Sequence, residues 1–208
     1  MIDFKLGTIP VRVQPWFFLT ALLIGPHDLP GMLLWVPVVF AGVLAHELGH
    51  AAAVKRLGLQ PAIQLHGFGG VTSWFGGRSL SPGQRAGVGA AGPAVGVAIG
   101  VGCILAATAI QPLPVTASKL LQYAIWVNLG WGLLNLLPIL PLDGGVIVTS
   151  FAEMLWGDRG RRTARVLSIA ACIALGLLAL AAGWLWSAII AAILAYTNIQ
   201  ALRSQTQQ

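Results

Sequence analysis

Of the 208 residues, 57% are hydrophobic and only 9% are charged, with a mean hydropathy of +0.81 and a formal net charge of +6. A soluble domain carries about a quarter of its residues as charged groups, so this composition excludes one and describes a polytopic membrane protein. The positive balance does not point to nucleic acid: the basic residues stay in loops, with no basic stripe interleaved with aromatics, and are expected to set topology and meet anionic headgroups.

Residues 5–13 (KLGTIPVRV) alternate around Pro10 and predict a short strand within a surface segment, residues 1–14. No charged and then apolar leader precedes them, so no cleavable signal peptide is expected. Residues 15–24 are apolar but shorter than the roughly 20 residues a full span needs, which leaves a tilted first helix or an interfacial one. Residues 26–31 read as a turn. Residues 32–57 predict a long apolar helix closed by Lys55, Arg56 and Gly58. Residues 61–75 read as two β pieces around Gly69-Gly70, a membrane-associated hairpin. Residues 84–110 predict another span, whose Gly92, Gly96 and Gly100 form a small-residue face for close helix approach. Residues 118–156 predict a helix broken by Pro138, Pro141 and Gly144-Gly145. A basic loop over 158–165 and two last helices within 166–202, joined by a tight turn at Gly183, complete the chain; the tail 204–208 is expected to be disordered. The expectation is an all-α membrane protein of about six transmembrane segments, residues 1–208 acting as one domain. Cys103 and Cys172 lie alone in apolar runs, without metal-ligand spacing, and read as packing residues.

Charge predicts orientation. If Lys55 and Arg56 face the cytoplasm, alternating spans place Lys5, Arg12, Arg78, Arg85, the 159–165 cluster and Arg203 there as well, and leave only Lys119 opposite. The same alternation brings His46, His50 and Asp143 to similar depth, nearer the cytoplasmic face.

The chemistry begins at His46-Glu47-Leu48-Gly49-His50. On a helix, His46 and His50 share one face and can reach one metal ion, with Glu47 beside them to activate water. Ionisable groups in an apolar span are costly to keep and mark function. A third His six residues after His50 would suit another protease class, but that position is Arg56; the only later Glu is Glu153. Asp143 is the better candidate, because the prolines and glycines before and after it unwind the backbone, and unwound backbone at membrane depth belongs at a cavity. A His46–His50–Asp143 set would leave a fourth position for water.

With HELGH and Asn135-Leu-Leu-Pro-Ile-Leu-Pro-Leu-Asp143-Gly in this order, the chain resembles the site-2 protease family of intramembrane zinc metalloproteases over most of its length. The resemblance implies one Zn2+ held by His46, His50 and Asp143, with Glu47 as general base. It implies a transmembrane protein substrate in the lipid bilayer, often trimmed first by another protease, with a regulatory membrane protein as a further possible partner. Asn135 is a candidate oxyanion partner, with interhelical hydrogen bonding as its structural alternative; for Asn128 the structural role is preferred. Gly96 stands where the family commonly has Asn, and packing is its expected role. His66, in the hairpin, is expected to be structural, and His27 has no assigned part. The expected location is the cell membrane, with the site opening towards the cytoplasm. An inactive membrane scaffold of the same fold, and a transporter built on broken helices, are the rival readings; the HExxH motif has no purpose in the latter.

Overall fold

A computed structural model describes residues 1–76 and 79–205. Arg78, one of the topology-setting cations, and tail residues 206–208 lie outside the described residues. By contact pattern the chain forms two compact units, Met1–Arg78 with Ala91–Leu134 and Ser79–Ala90 with Asn135–Gln208.

The first unit holds a four-stranded sheet in the order β1-β2-β3-β4 (Ile2–Leu6, Ile9–Val13, Gln60–His66, Gly69–Phe75). The outer pairs are antiparallel, and β2 runs parallel to β3. Alternation sets the buried face: Val11, Val13, Ile63 and Leu65 point inward while Arg12 and Gln64 point away. That face packs on Phe17 and Ala21 of α1 (Pro15–Ile24) and on Trp35, Val39, Val43 and Ala51 of α2 (Leu29–Arg56). The expected single N-terminal strand is in fact a hairpin. Gly7, with φ of 60°, reverses the chain between Leu6 and Ile9, which pair with each other. The second expected hairpin forms with β4 at the sheet edge, but its turn is Gly67-Phe68: Gly69 and Gly70, expected at the turn, pair with His66 and Leu65 inside the ladder.

Helix α1 has 10 residues and is about 15 Å long, half of a hydrocarbon core. The Trp35 indole donates to the Ala21 carbonyl at 2.9 Å and ties α1 to α2. The expected turn over 26–31 is shorter, because Asp28 caps α2 by accepting from the Gly31 amide at 2.8 Å. Helix α3 (Pro82–Ala109) starts from a reciprocal box in which Ser81 and Gln84 side chains bond each other's amides, at 3.3 and 3.1 Å. The next expected helix is built from three pieces: α4 (Val115–Ile125), a π-helical turn (Trp126–Gly130) and α5 (Trp131–Asn135). Asn128 is buried within the π turn, and its side-chain Nδ2 donates to the Ala124 carbonyl at 2.8 Å. A Cβ on Gly96 would come within 3.0 Å of the Asn128 carbonyl, so Gly96 lets α3 approach this turn, as its packing role requires.

In the second unit, α6 (Asp143–Ala181) pairs with α7 (Leu185–Gln205) through a turn at Gly183, where φ is 76°. The expected basic loop over 158–165 is instead helical. A single residue, Gly157 (φ 56°, ψ −134°), makes the reversal, and a Cβ at Gly160 would overlap the Ala152 carbonyl. The arginines then sit on a helix flank, where Glu153 pairs with Arg85 and lies 3.6 Å from Arg161, and Arg161 also pairs with Asp158. Among the described residues, four helices are long and apolar enough to cross a membrane: Leu29–Arg56, Pro82–Ala109, Asp143–Ala181 and Leu185–Ser204. The expected count of six is not confirmed by length and composition: α1 is short, and the run from Val115 to Asn135 passes through a π turn.

Candidate metal centre

Helix α2 delivers both imidazoles to one face, as the four-residue spacing dictates. Their Nε2 atoms are 3.1 Å apart and both rings are buried. Two ligands at 2.0–2.1 Å from a tetrahedral zinc stand about 3.3 Å apart, so the pair fits a shared ion. A glycine clears the space in front of them. A Cβ on Gly92 of α3 would fall 2.7 Å from His46 Nε2 and 2.6 Å from His50 Cε1. Gly49, between the two histidines, lets α2 and α3 approach: a Cβ there would lie 2.6 Å from the Ala91 carbonyl oxygen.

Glu47 is buried beside the histidines and lies under β4. The Thr72 hydroxyl is 2.6 Å from Glu47 Oε2 and 3.1 Å from the Glu47 carbonyl oxygen. Gly70, two residues earlier and so on the same face of the strand, has no side chain; a Cβ there would fall 2.5–2.7 Å from Glu47 Cγ, Cδ and Oε1. Sequence reasoning passed over Thr72 and Gly70. The available signal was the period of two in β4, which puts both on one face.

Asp143 belongs to the second unit, where it is half-buried in the first turn of α6. A carboxylate suits that place, since the helix dipole favours negative charge there. The two glycines after it have a steric reason. A Cβ on Gly144 would overlap the Leu136 carbonyl, and one on Gly145 would lie 2.5 Å from the Ile139 oxygen, so α6 starts packed on the unwound chain before it. That unwound backbone is satisfied from two helices. The Leu140 amide donates to Ser168 Oγ at 2.9 Å, and Asn198 Nδ2 donates to the Leu140 carbonyl at 2.7 Å. Ser168 and Asn198 are both buried and were not singled out from sequence, because nothing local marks them as partners of residue 140. Asn135 ends α5, half-buried. His66 accepts from the Phe68 amide at 3.2 Å in the hairpin turn, a structural role.

The chemistry of this donor set, two facing imidazoles beside a buried carboxylate, has known counterparts. The Peptidase family M50 profile matches residues 111–181, which include Asn135 and Asp143. "Putative zinc metalloprotease Rip3" of Mycobacterium tuberculosis is 34% identical over 199 residues, 86% of this chain and 50% of that protein. "Putative zinc metalloprotease sll0528" of Synechocystis is 33% identical over 169 residues, 74% of this chain and 44% of that protein. The chain thus spans about half the length of the curated relatives it matches. In fold it is similar to the site-2 protease from Methanocaldococcus jannaschii, with a TM-score of 0.64, 21% identity and coverage of 96% of this chain and 94% of that one. By the family profile over residues 111–181 and by these two relatives the chain is similar to members of peptidase family M50, and its fold is like that of a site-2 protease.

Proposed function

We propose that this chain is a zinc-dependent intramembrane endopeptidase, its two units acting together as one integral-membrane domain. His46, His50 and Asp143 would hold the zinc. The observation that carries the reading is the pair of buried Nε2 atoms 3.1 Å apart on an apolar helix, with Glu47 next to them. When bound, zinc polarises a carbonyl and makes water a better nucleophile. Glu47 takes the proton from the attacking water and returns it to the leaving amine, and Asn135 donates to the oxyanion.

The substrate is a transmembrane helix of another membrane protein, trimmed beforehand by a separate protease, and a regulatory membrane protein is a further partner. A helical peptide bond is shielded, so the substrate must unwind near the site. The edge of β4, next to Glu47, offers a strand to which an extended segment can add. The chain lies in the cell membrane with the site opening to the cytoplasm, in keeping with the basic residues near Lys55 and Arg56 and along 159–165. The crossings are α2, α3, the broken run from Val115 through Asp143 to Gly157, and the two helices that follow; α1 inserts partway.

The test is Glu47→Gln in proteoliposomes, with zinc content and cleavage of a transmembrane peptide measured on the same preparation. Cleavage is expected to vanish while about one zinc per chain remains. Wild-type cleavage by this variant would remove the proposed mechanism.

A further inference from the structure

We infer that Thr72 is a positioning residue that holds the Glu47 carboxylate in its proton-accepting orientation, and that it links occupancy of the β4 edge to that orientation. This rests on the reading of Glu47 as general base. A carboxylate at the end of a Glu side chain rotates through three torsions, and a base that wanders loses alignment with the proton it must take. In this protein the Thr72 hydroxyl limits that rotation. Thr72 has a single O–H, and the 2.6 Å separation from Oε2 against 3.1 Å from the main-chain oxygen assigns that proton to the carboxylate. Such a short charge-assisted bond in a water-poor setting is among the stronger ones.

The strand geometry makes the bond a link between two events. Thr72 sits mid-strand in β4, paired with Ile63 of β3, and Gly70 brings the strand backbone against the same side chain. The outer side of β4 is the sheet edge. A peptide adding there flattens and fixes β4, which fixes Thr72 and hence Glu47. An unoccupied edge lets β4 twist, and the base moves with it. A β-branched residue suits both tasks, since its χ1 is restricted in a strand.

The experiment uses the full chain, zinc-loaded, in proteoliposomes, with a single-span peptide carrying a helix-breaking Gly-Pro centre and a fluorophore–quencher pair as probe. Thr72→Val keeps the shape and removes the hydroxyl. It is expected to lower kcat about 10- to 100-fold, with KM within about twofold and zinc content unchanged, and Thr72→Ser is expected to recover kcat to within about threefold of wild type. A second readout does not depend on turnover. Amide exchange over 69–75 should quicken about tenfold in Thr72→Val and in Glu47→Ala, with no further gain in the double variant, because both remove one bond. Wild-type kcat in Thr72→Val, equal slowness in the Ser and Val variants, or additive exchange effects would each overturn the inference. If instead Glu47→Gln cuts the probe at the wild-type rate, the general-base reading itself has failed.

Discussion

Gly92→Ala separates a metal-site glycine from a merely small one. The added methyl carbon would stand 2.7 Å from His46 Nε2 and 2.6 Å from His50 Cε1, whereas relaxed non-bonded contacts of this kind lie near 3.5 Å. One or both rings must therefore shift by at least about 0.8 Å, and by more at His50 Nε2, the nearest atom to the added methyl; this is some four times the roughly 0.2 Å within which metal–ligand distances are held. Neither wall gives way easily: a Cβ on Gly49 would already be 2.6 Å from the Ala91 carbonyl oxygen, so the two helices are in contact beside the histidines. Zinc affinity is expected to fall by at least about 100-fold, the upper end of what changes around metal ligands produce. Gly102→Ala is the control. It lies on the same helix, with nothing within 4 Å of the position a Cβ would take, and should gain about 0.5–1 kcal/mol from helix propensity alone. Metal content after equilibration against a graded chelator, with thermal unfolding in detergent, measures both. If Gly92→Ala retains zinc within about threefold of wild-type affinity, the two imidazoles do not face a shared ion across that glycine, and the metal-site argument fails.

Asp143→Ala should reduce zinc content to well under half an ion per chain while the melting temperature of metal-stripped protein stays within a few degrees of wild type; undiminished zinc would remove Asp143 from the ligand set. Ser168→Ala leaves the Leu140 amide without its partner and should cost about 1–3 kcal/mol in unfolding, with a matching rise in amide exchange over 136–142. No change in either would mean that the unwound segment is held by something other than Ser168 and Asn198.

How much of this was legible in the sequence depends on the distance over which each signal acts. HELGH needs only helical periodicity to bring His46 and His50 together, and their spacing alone predicted the shared face. The turn at Gly183 was readable for the same reason, since it is set by one residue that tolerates positive φ, whereas the 61–75 hairpin was readable as a hairpin but turns at Gly67-Phe68, two residues before the expected glycine pair. The loop expected over 158–165 was misread because a run of arginines resembles a solvated connection. The reversal needs only Gly157, and Glu153 and Asp158 supply counter-charge that lets the arginines stay helical. Gly92 was read as helix-packing surface together with Gly96 and Gly100, and for those two the reading is sound. Their neighbours are the Asn128 carbonyl and the Leu129 side chain. Gly92 differs only because α2 presents histidines at that level, a fact that lives in tertiary packing.

Thr72 shows the same limit from the other side. Its strand was predicted, and alternation fixed which of its neighbours share a face, but no pattern within 61–75 says that this face lies on Glu47, 25 residues earlier. What decides it is the parallel pairing of β2 with β3, which requires the chain to cross over through α1 and α2 and so lays α2 across the sheet. The histidine helix is thus the crossover connection of the sheet, and its carboxylate comes under the edge strand as a consequence of the topology. A carboxylate placed in this way is held by a strand of the same hydrogen-bonded ladder whose outer side is the sheet edge. Cleavage should therefore be more sensitive to changes in β4, which bonds Glu47 through Thr72, than to equally severe changes in β1, the opposite edge of the sheet.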